Sequence, residues 1–281
     1  MASIVTRSTT GLFHYADRTR IPESGLRFDF DAQWSGIPVV EARVEVIDAA
    51  ELADPPRFDR EGLETLHLGI PPVDPRDSQA LENVWRPAVI RAVQRLTGAN
   101  AVASWSLGAR FSEREGNAPR SDVSNPARRV HGDFAPSEFG HEVQHGLART
   151  AIDAVSDGRR LVRWIGLNVW QALSPPPHDT PLALCDTRTV APEDLVVGRG
   201  SAPSRRDIEI DLPLFCHSPR HRWLYWSRLA PDEAIVFSGI DSSAPGDWRL
   251  VPHSAFDDPA CPAGAPPRSS VEIRCMALFF S

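Results

Sequence analysis

The chain has 281 residues, a formal net charge of −7, and 30 basic residues that are all arginine. The absence of lysine excludes enzymes that depend on a phosphate-loop lysine, a pyridoxal Schiff base, a lysine aldolase nucleophile or a kinase ATP-binding lysine. The acidic balance, with a pI of about 5.7, and the lack of a long apolar run or signal peptide predict a cytoplasmic protein that binds neither nucleic acid nor membranes.

The first half of the chain mixes strand and helix patterns. Residues 38–48 alternate between apolar and polar side chains, which predicts a strand, and 78–97 carry an apolar face at helical spacing. Asp77 or Ser78 can cap this helix, and Pro87 should kink it. Residues 101–111 predict a second strand. The polar segment 112–129 that follows is rich in turn residues, and we expect a mobile loop there.

The second half is dominated by short strand patterns. A helix is expected near 137–156, and turn residues separate the predicted strands 160–172, 181–186, 207–217, 221–229, 234–241, 247–253 and 268–280. Such close spacing favours a sandwich or barrel over strand–helix–strand units. We therefore expect one domain, 1–281, with an N-terminal α/β elaboration (1–129) packed on a β core (130–281). The four cysteines form no CxxC pair and are expected to be free thiols.

One candidate metal site is the string His141-Glu142-Val143-Gln144-His145, which fits the HExxH pattern of zinc hydrolases. On a helix, His141 and His145 lie one turn apart and can share an ion. The sequence context opposes this hypothesis, because no glutamate that could act as a third ligand follows between 143 and 192. Two histidines on the surface of a helix are the simpler interpretation.

The second candidate combines His131-Gly132-Asp133 with His253 far downstream. In an extended segment, residues i and i+2 face the same way, so His131 and Asp133 can present an imidazole and a carboxylate to one ion. Two histidines and one carboxylate are the ligand set of non-haem iron oxygenases. Arg268 and Ser270 follow at the start of a strand and can together bind a carboxylate. Such an Arg-x-Ser element holds 2-oxoglutarate in many oxygenases of this class.

Beyond these motifs, the chain resembles the AsaB-type hydroxylase/desaturase family of secondary metabolism, to which a protein of cephamycin methoxylation is related. The similarity runs through eight blocks, which are 59–67, 91–100, 130–136, 181–190, 218–226, 229–237, 252–259 and 265–274. The resemblance implies a mainly β fold, a double-stranded β-helix (cupin-like jelly roll) with N-terminal helices and strands. It also implies a non-haem iron, 2-oxoglutarate-dependent dioxygenase.

Carried over to this sequence, the resemblance makes His131, Asp133 and His253 the catalytic iron ligands, and Arg268 with Ser270 the clamp for 2-oxoglutarate. Arg274 shares their strand face and is a second choice for holding 2-oxoglutarate or an acidic substrate. The pocket residues suggested for the substrate are Asn168, Trp170 and Tyr225, although core packing is an alternative for each.

The implied reaction uses Fe(II), 2-oxoglutarate and O₂ to hydroxylate, desaturate or oxidatively cyclise a small natural-product intermediate, releasing succinate and CO₂. Two other functions stay open at this point: a non-catalytic cupin-like protein that binds a small molecule, and a zinc hydrolase that uses the HEVQH string. The oligomeric state is also left open, with a homodimer as one option.

Overall fold

The computed structural model describes residues 7–29, 34–112, 125–202, 208–243 and 250–281, and within helix α3 the side chains from 146 onwards. The strands are β1 (Ser8–Ala16), β2 (Leu26–Asp29), β3 (Val39–Asp48), β4 (Leu63–His67), β5 (Ala101–Phe111), β6 (Leu161–Ala172), β7 (Leu182–Cys185), β8 (Leu195–Ala202), β9 (Ile208–Phe215), β10 (Trp223–Tyr225), β11 (Glu233–Asp241), β12 (His253–Ala255) and β13 (Ser269–Phe280). The helices are α1 (Ser78–Ala80), α2 (Arg86–Thr97) and α3 (Glu138–Ser156), and short 3₁₀ turns occupy some of the connections.

Two five-stranded sheets and one three-stranded sheet make up the β structure. Their strand orders are β1-β3-β10-β7-β12, β4-β11-β6-β13-β5 and β2-β8-β9. Almost all neighbouring pairs are antiparallel, the exceptions being β10 with β3 and β2 with β8. Each of the three sheets therefore contains strands from before and from after residue 130. The mainly β expectation is confirmed, whereas the division of the domain at residue 129 stays a prediction.

The two five-stranded sheets enclose the main apolar core. Successive residues of β13 point to opposite faces of their sheet. Met276 and Leu278 pack with Phe13 and Trp223 of the first sheet, in a cluster that lies between the two sheets. The intervening residues Val271, Ile273, Cys275 and Ala277 face the other way, against Leu81, Trp85 and helix α2. This two-residue periodicity places Ser270, Glu272 and Arg274 on the inner face.

The helical segment begins and ends as the sequence predicted, with one irregularity. Asp77 accepts a hydrogen bond from the backbone N–H of Ala80, and Gly98 ends α2 in the left-handed conformation with φ 68°. A π-helical turn, Leu81–Trp85, interrupts the helix just before Pro87. The expected kink thus takes the form of a wider turn, in which the N–H of Arg86 reaches the carbonyl of Leu81.

Most predicted strands occur, and four strands were missed. The missed strands are β1, β2, β4 and β8. None of them has a long apolar run, and each contains glycine, arginine or threonine. The four cysteines are free thiols, as expected. Of the predicted loop 112–129, residues 113–124 lie outside the described residues. No helix among the described residues is long and apolar enough to cross a membrane.

Candidate functional site

His131, Asp133 and His253 form one buried cluster between the sheets. His131 bridges the chain to Leu214 of β9 and to His253 of β12, and its backbone exchanges hydrogen bonds of 3.1 and 2.9 Å with that of His253. Each of the three side chains offers one ligand atom, and these atoms all lie within 4.8 Å of one another. Backbone pairing therefore unites residues that are distant in the sequence.

Both histidines have their Nδ1 atoms occupied by backbone carbonyls. The Nδ1 atom of His131 lies 2.7 Å from the carbonyl oxygen of Arg129, and that of His253 lies 3.1 Å from the carbonyl oxygen of Val251. Burial, and then the neighbouring His253, lower the pKa of His131 to about 3, so its ring is neutral at physiological pH. A neutral imidazole that donates Nδ1–H leaves the Nε2 lone pair available for a metal ion.

The carboxylate of Asp133 is ionised and held from two sides. Although burial alone would raise the pKa of Asp133, the Arg274 guanidinium outweighs burial and holds that pKa well below its usual range. Arg274 donates to Oδ1 and the amide of Asn168 donates to Oδ2. The Nε2 atom of His253 lies 3.7 Å from Oδ2. These contacts fix the direction in which the carboxylate faces the histidines.

Glycines allow the His131–Asp133 segment to approach the sheets closely. A Cβ added at Gly132 would lie 2.8 Å from the Leu250 side chain. The ring of Phe134 lies directly over Gly166 and Gly239, and a Cβ at either position would overlap that ring. The small residues therefore provide the space that sets the depth of Asp133 in the core.

Arg268 is a buried cation that forms no ion pair with any described residue. It is 2% exposed, its Nη1 donates to the carbonyl oxygen of Thr180 at 2.6 Å, and its guanidinium lies 5.6 Å from the centre of the Trp170 ring. Burial, and then the charge of Arg110, lower the pKa of Arg268 to about 9. Within the described part of the chain, neither Arg268 Nε nor Ser270 Oγ has a hydrogen-bond partner. Buried polar atoms of this kind are uncommon in native proteins and need a partner.

A second ion pair lies on the same inner face, between Arg110 of β5 and Glu272 of β13. Glu272 is one of the site residues that the sequence analysis missed, although its position midway between Ser270 and Arg274 was a usable signal. Arg110 carried no such signal. Trp34 was missed as well. Its ring lies edge-on to His131 with the ring centres 5.0 Å apart, and its φ of 62° lies in the left-handed region.

The three residues suggested for the substrate pocket have different surroundings. Asn168 contacts Asp133, and Trp170 packs beside Arg268. Tyr225 packs edge-on against Phe256 and lines a cavity whose lining residues include none of the three metal-binding candidates. Helix α3 contains the HEVQH string, but the side chains of 141–145 lie outside the described residues.

Comparison with known proteins supplies the relatives of this chain. A family model described as an oxidoreductase/YMDC permease-like domain matches residues 22–278. The Fe(II)/2-oxoglutarate-dependent dioxygenase nvfI of Aspergillus novofumigatus is 33% identical over 204 residues, which is 72% of this chain and 69% of that protein. The hydroxylase/desaturase asaB of Aspergillus flavus is 34% identical over 128 residues, covering 42% of this chain and 56% of its own length. A solved structure of the iron and alpha-ketoglutarate-dependent endoperoxidase NvfI superposes with a TM-score of 0.78 at 25% identity, covering 99% of this chain and 100% of that one.

Proposed function

The chain belongs to the AsaB-type family of hydroxylase/desaturases and Fe(II)/2-oxoglutarate-dependent oxygenases of secondary metabolism, and on this premise we propose how its residues perform that chemistry. It is an iron- and 2-oxoglutarate-dependent oxygenase with a jelly-roll fold. His131, Asp133 and His253 hold the iron. Arg268 and Ser270 hold the co-substrate, and a small natural-product intermediate is the substrate.

The chemistry of the three donors supports the proposed iron site. Two imidazoles and one ionised carboxylate, all buried, are a donor set that would hold an iron ion and leave room for a co-substrate and O₂. Their second hydrogen bonds, to backbone carbonyls and to Asn168 and Arg274, are of the kind that orients metal ligands. The residues present therefore fit a divalent iron.

The single observation that carries the co-substrate assignment is the unpartnered Arg268–Ser270 pair. Arg268 Nε and Ser270 Oγ are buried and have no hydrogen-bond partner among the described residues, so they suit the far carboxylate of 2-oxoglutarate, which would also supply a counter-charge to the guanidinium. Arg274 is less suited to a two-pronged contact with 2-oxoglutarate, because its Nη2 and Nη1 atoms already donate to Asp133 and Ser106 and only its Nε has no partner among the described residues. Trp170 covers the Arg268 guanidinium with its ring and excludes water from it.

When bound, iron and 2-oxoglutarate supply the activation of O₂ and the removal of a substrate hydrogen, with release of succinate and CO₂. The protein contributes orientation. Arg268 keeps the co-substrate at one end of the inner face, and Asn168 and Arg274 keep Asp133 turned towards His253. The apolar side chains around His253, such as Phe237 with its ring centre 4.9 Å away, shield this region from water.

The test of this proposal is the substitution Asp133→Ala with Asp257→Ala as its matched control, since Asp257 makes only an exposed pair with Arg128. We expect anaerobic titration with Fe(II) and 2-oxoglutarate to give the visible absorption of the iron–keto acid chelate in the parent and in Asp257→Ala. Asp133→Ala should give none and should form no succinate. Iron binding and succinate formation that survive in Asp133→Ala would contradict the proposed ligand set. A single bound zinc that is lost on His145→Ala would instead support a hydrolase.

A further inference from the structure

Trp105 and Arg274 lie opposite each other on β5 and β13, next to the proposed iron ligands. They are paired in the register of the two strands, so their side chains leave the same face of the sheet with Cβ atoms about 5 Å apart. Arg274 contacts Asp133, and the Trp105 ring lies edge-on to Phe134 with the ring centres 6.2 Å apart. Both residues therefore border the space in front of Asp133.

Each of these two residues presents a buried N–H group that lacks an acceptor. In the described part of the chain, Trp105 Nε1 and Arg274 Nε are both buried and have no hydrogen-bond partner. An indole N–H and a guanidinium N–H can only donate, so neither satisfies the other. Since buried donors are almost always paired in native proteins, two unpaired donors on facing positions indicate an acceptor other than the described residues.

The backbone beside Trp105 is irregular in a way that positions Arg274. Ser106 has φ 59°, in the left-handed region, and the register between β5 and β13 shifts between Glu272 and Arg274. The Ser106 hydroxyl accepts a hydrogen bond of 3.3 Å from Arg274 Nη1. Strained residues and bulges of this kind concentrate at functional sites, where they redirect a side chain. Here the bulge lies on β5 and brings the Ser106 hydroxyl to Arg274, whose guanidinium also contacts Asp133.

Charge determines which kind of acceptor suits these donors. The ion-pair partner of Arg274 is Asp133, whereas Glu272 is paired with Arg110. When Asp133 serves as an iron ligand, as proposed above, it shares its negative charge with the cation. Arg274 then lacks a full counter-charge, and an anionic acceptor is favoured over a neutral one.

We propose that Trp105 Nε1 and Arg274 Nε form a binding site for a carboxylate of the organic substrate, separate from the Arg268 clamp for the co-substrate. The substrate is accordingly a carboxylic acid whose carboxylate lies beside the iron ligands. This inference rests on the proposed function, which makes Asp133 an iron ligand and requires an organic substrate.

Benzoate serves as the anionic probe and benzamide as its neutral counterpart. The protein is loaded anaerobically with Fe(II) and 2-oxoglutarate, the chelate absorption is recorded, and each probe is titrated by calorimetry. We expect benzoate to bind at least tenfold more tightly than benzamide. Trp105→Phe keeps the ring and removes the N–H, and it should weaken benzoate about tenfold, which corresponds to about 1.4 kcal/mol. It should leave the chelate absorption in place.

The matched control is Trp85→Phe, which removes an indole N–H on the outer face of the sheet, where Trp85 donates to Gln171 at 2.6 Å. This control should leave the benzoate affinity unchanged.

Equal benzoate affinity in Trp105→Phe and the parent, or equal affinity of the parent for benzoate and benzamide, would overturn the inference. A weakened affinity for 2-oxoglutarate with unchanged affinity for benzoate would overturn the assignment to the organic substrate. An absent chelate absorption in the parent defeats the proposed function itself, and this outcome is visible before any probe is added. The comparison of benzoate with benzamide in the parent needs no variant and keeps the test valid if Trp105→Phe does not fold.

Discussion

Replacing Arg268 by methionine should make the ligand-free protein more stable and the co-substrate complex much weaker. A pKa of about 9 in place of the ordinary 12.5 corresponds to about 5 kcal/mol against the charged guanidinium in the folded state. Methionine keeps most of the apolar stem. The loss of the hydrogen bond to the Thr180 carbonyl costs about 1–3 kcal/mol. We therefore expect a net gain of about 2–4 kcal/mol and a rise in Tm of about 3–7 °C.

The effect on 2-oxoglutarate has the opposite sign. Losing a two-pronged, charge-assisted contact should cost about 3 kcal/mol, or about a hundredfold in affinity. In the parent, 2-oxoglutarate at a hundred times its Kd together with iron should add about 2.7 kcal/mol of stability, and the Arg268→Met variant should lose most of this increment. Urea denaturation of the same samples, with and without the metal and co-substrate, measures both the stability of the ligand-free protein and the increment that the ligands add.

Arg110→Met is the matched control for this prediction, because Arg110 has a carboxylate partner in Glu272. The same substitution there leaves the half-buried carboxylate of Glu272 unpaired and should destabilise the protein by about 1–3 kcal/mol. If Arg268→Met lowered the stability by a similar amount and bound 2-oxoglutarate normally, Arg268 would be a structural cation and the reasoning would be refuted.

Three further predictions concern the metal site, acid stability and packing. Asp133→Ala should lower the affinity for Fe(II) by at least a hundredfold, measured by anaerobic equilibrium dialysis, and an unchanged affinity would contradict the ligand assignment. Burial and then the nearby arginine lower the pKa of His178 from 6.5 to about 4, so the unfolded chain takes up this proton first and stability falls as the pH drops from 6.5 to 4. His178→Gln should remove about 3 kcal/mol of that acid sensitivity. Urea denaturation at pH 7 and 4.5 compares the variant with the parent, and an equal loss of stability with pH in the two proteins would be evidence against the assigned cause. Gly239→Ala should cost about 1–3 kcal/mol by overlapping the Phe134 ring, whereas Gly264→Ala, where a Cβ has open space, should cost little in a thermal melt.

Elements with local signals could be predicted from the sequence. The helical segment has a capping aspartate, an apolar face and a left-handed glycine at its end, and its bounds agree with the prediction. Strand β5 likewise agrees, since its alternating pattern is bounded by turn residues. Strand β1 was missed because its stability comes from pairing along the whole length of β3. Strand β8 contains two glycines and is defined by its partners β2 and β9.

The candidate site could be predicted in pieces. The spacing in His131-Gly132-Asp133 and in Arg268-Ser269-Ser270 showed which side chains share a face, because side chains alternate along an extended chain. The spacing did not show that His131 pairs with His253, since that contact depends on bridges between separate strands. It also left Arg274 as a second choice beside Arg268, since both share one strand face.

The sequence by itself determined the chemical groups available and their order: two histidines and one aspartate with ligand spacing, one arginine just before the last strand and another within it, and no lysine. The tertiary structure alone decided which charges meet. Arg274 contacts Asp133 and Arg110 contacts Glu272, whereas Arg268 is buried beside the Thr180 carbonyl and the Trp170 ring. The physical reason is that periodicity within a strand sets the direction of each side chain, but the partner across the core depends on the packing of sheets that are far apart in the sequence.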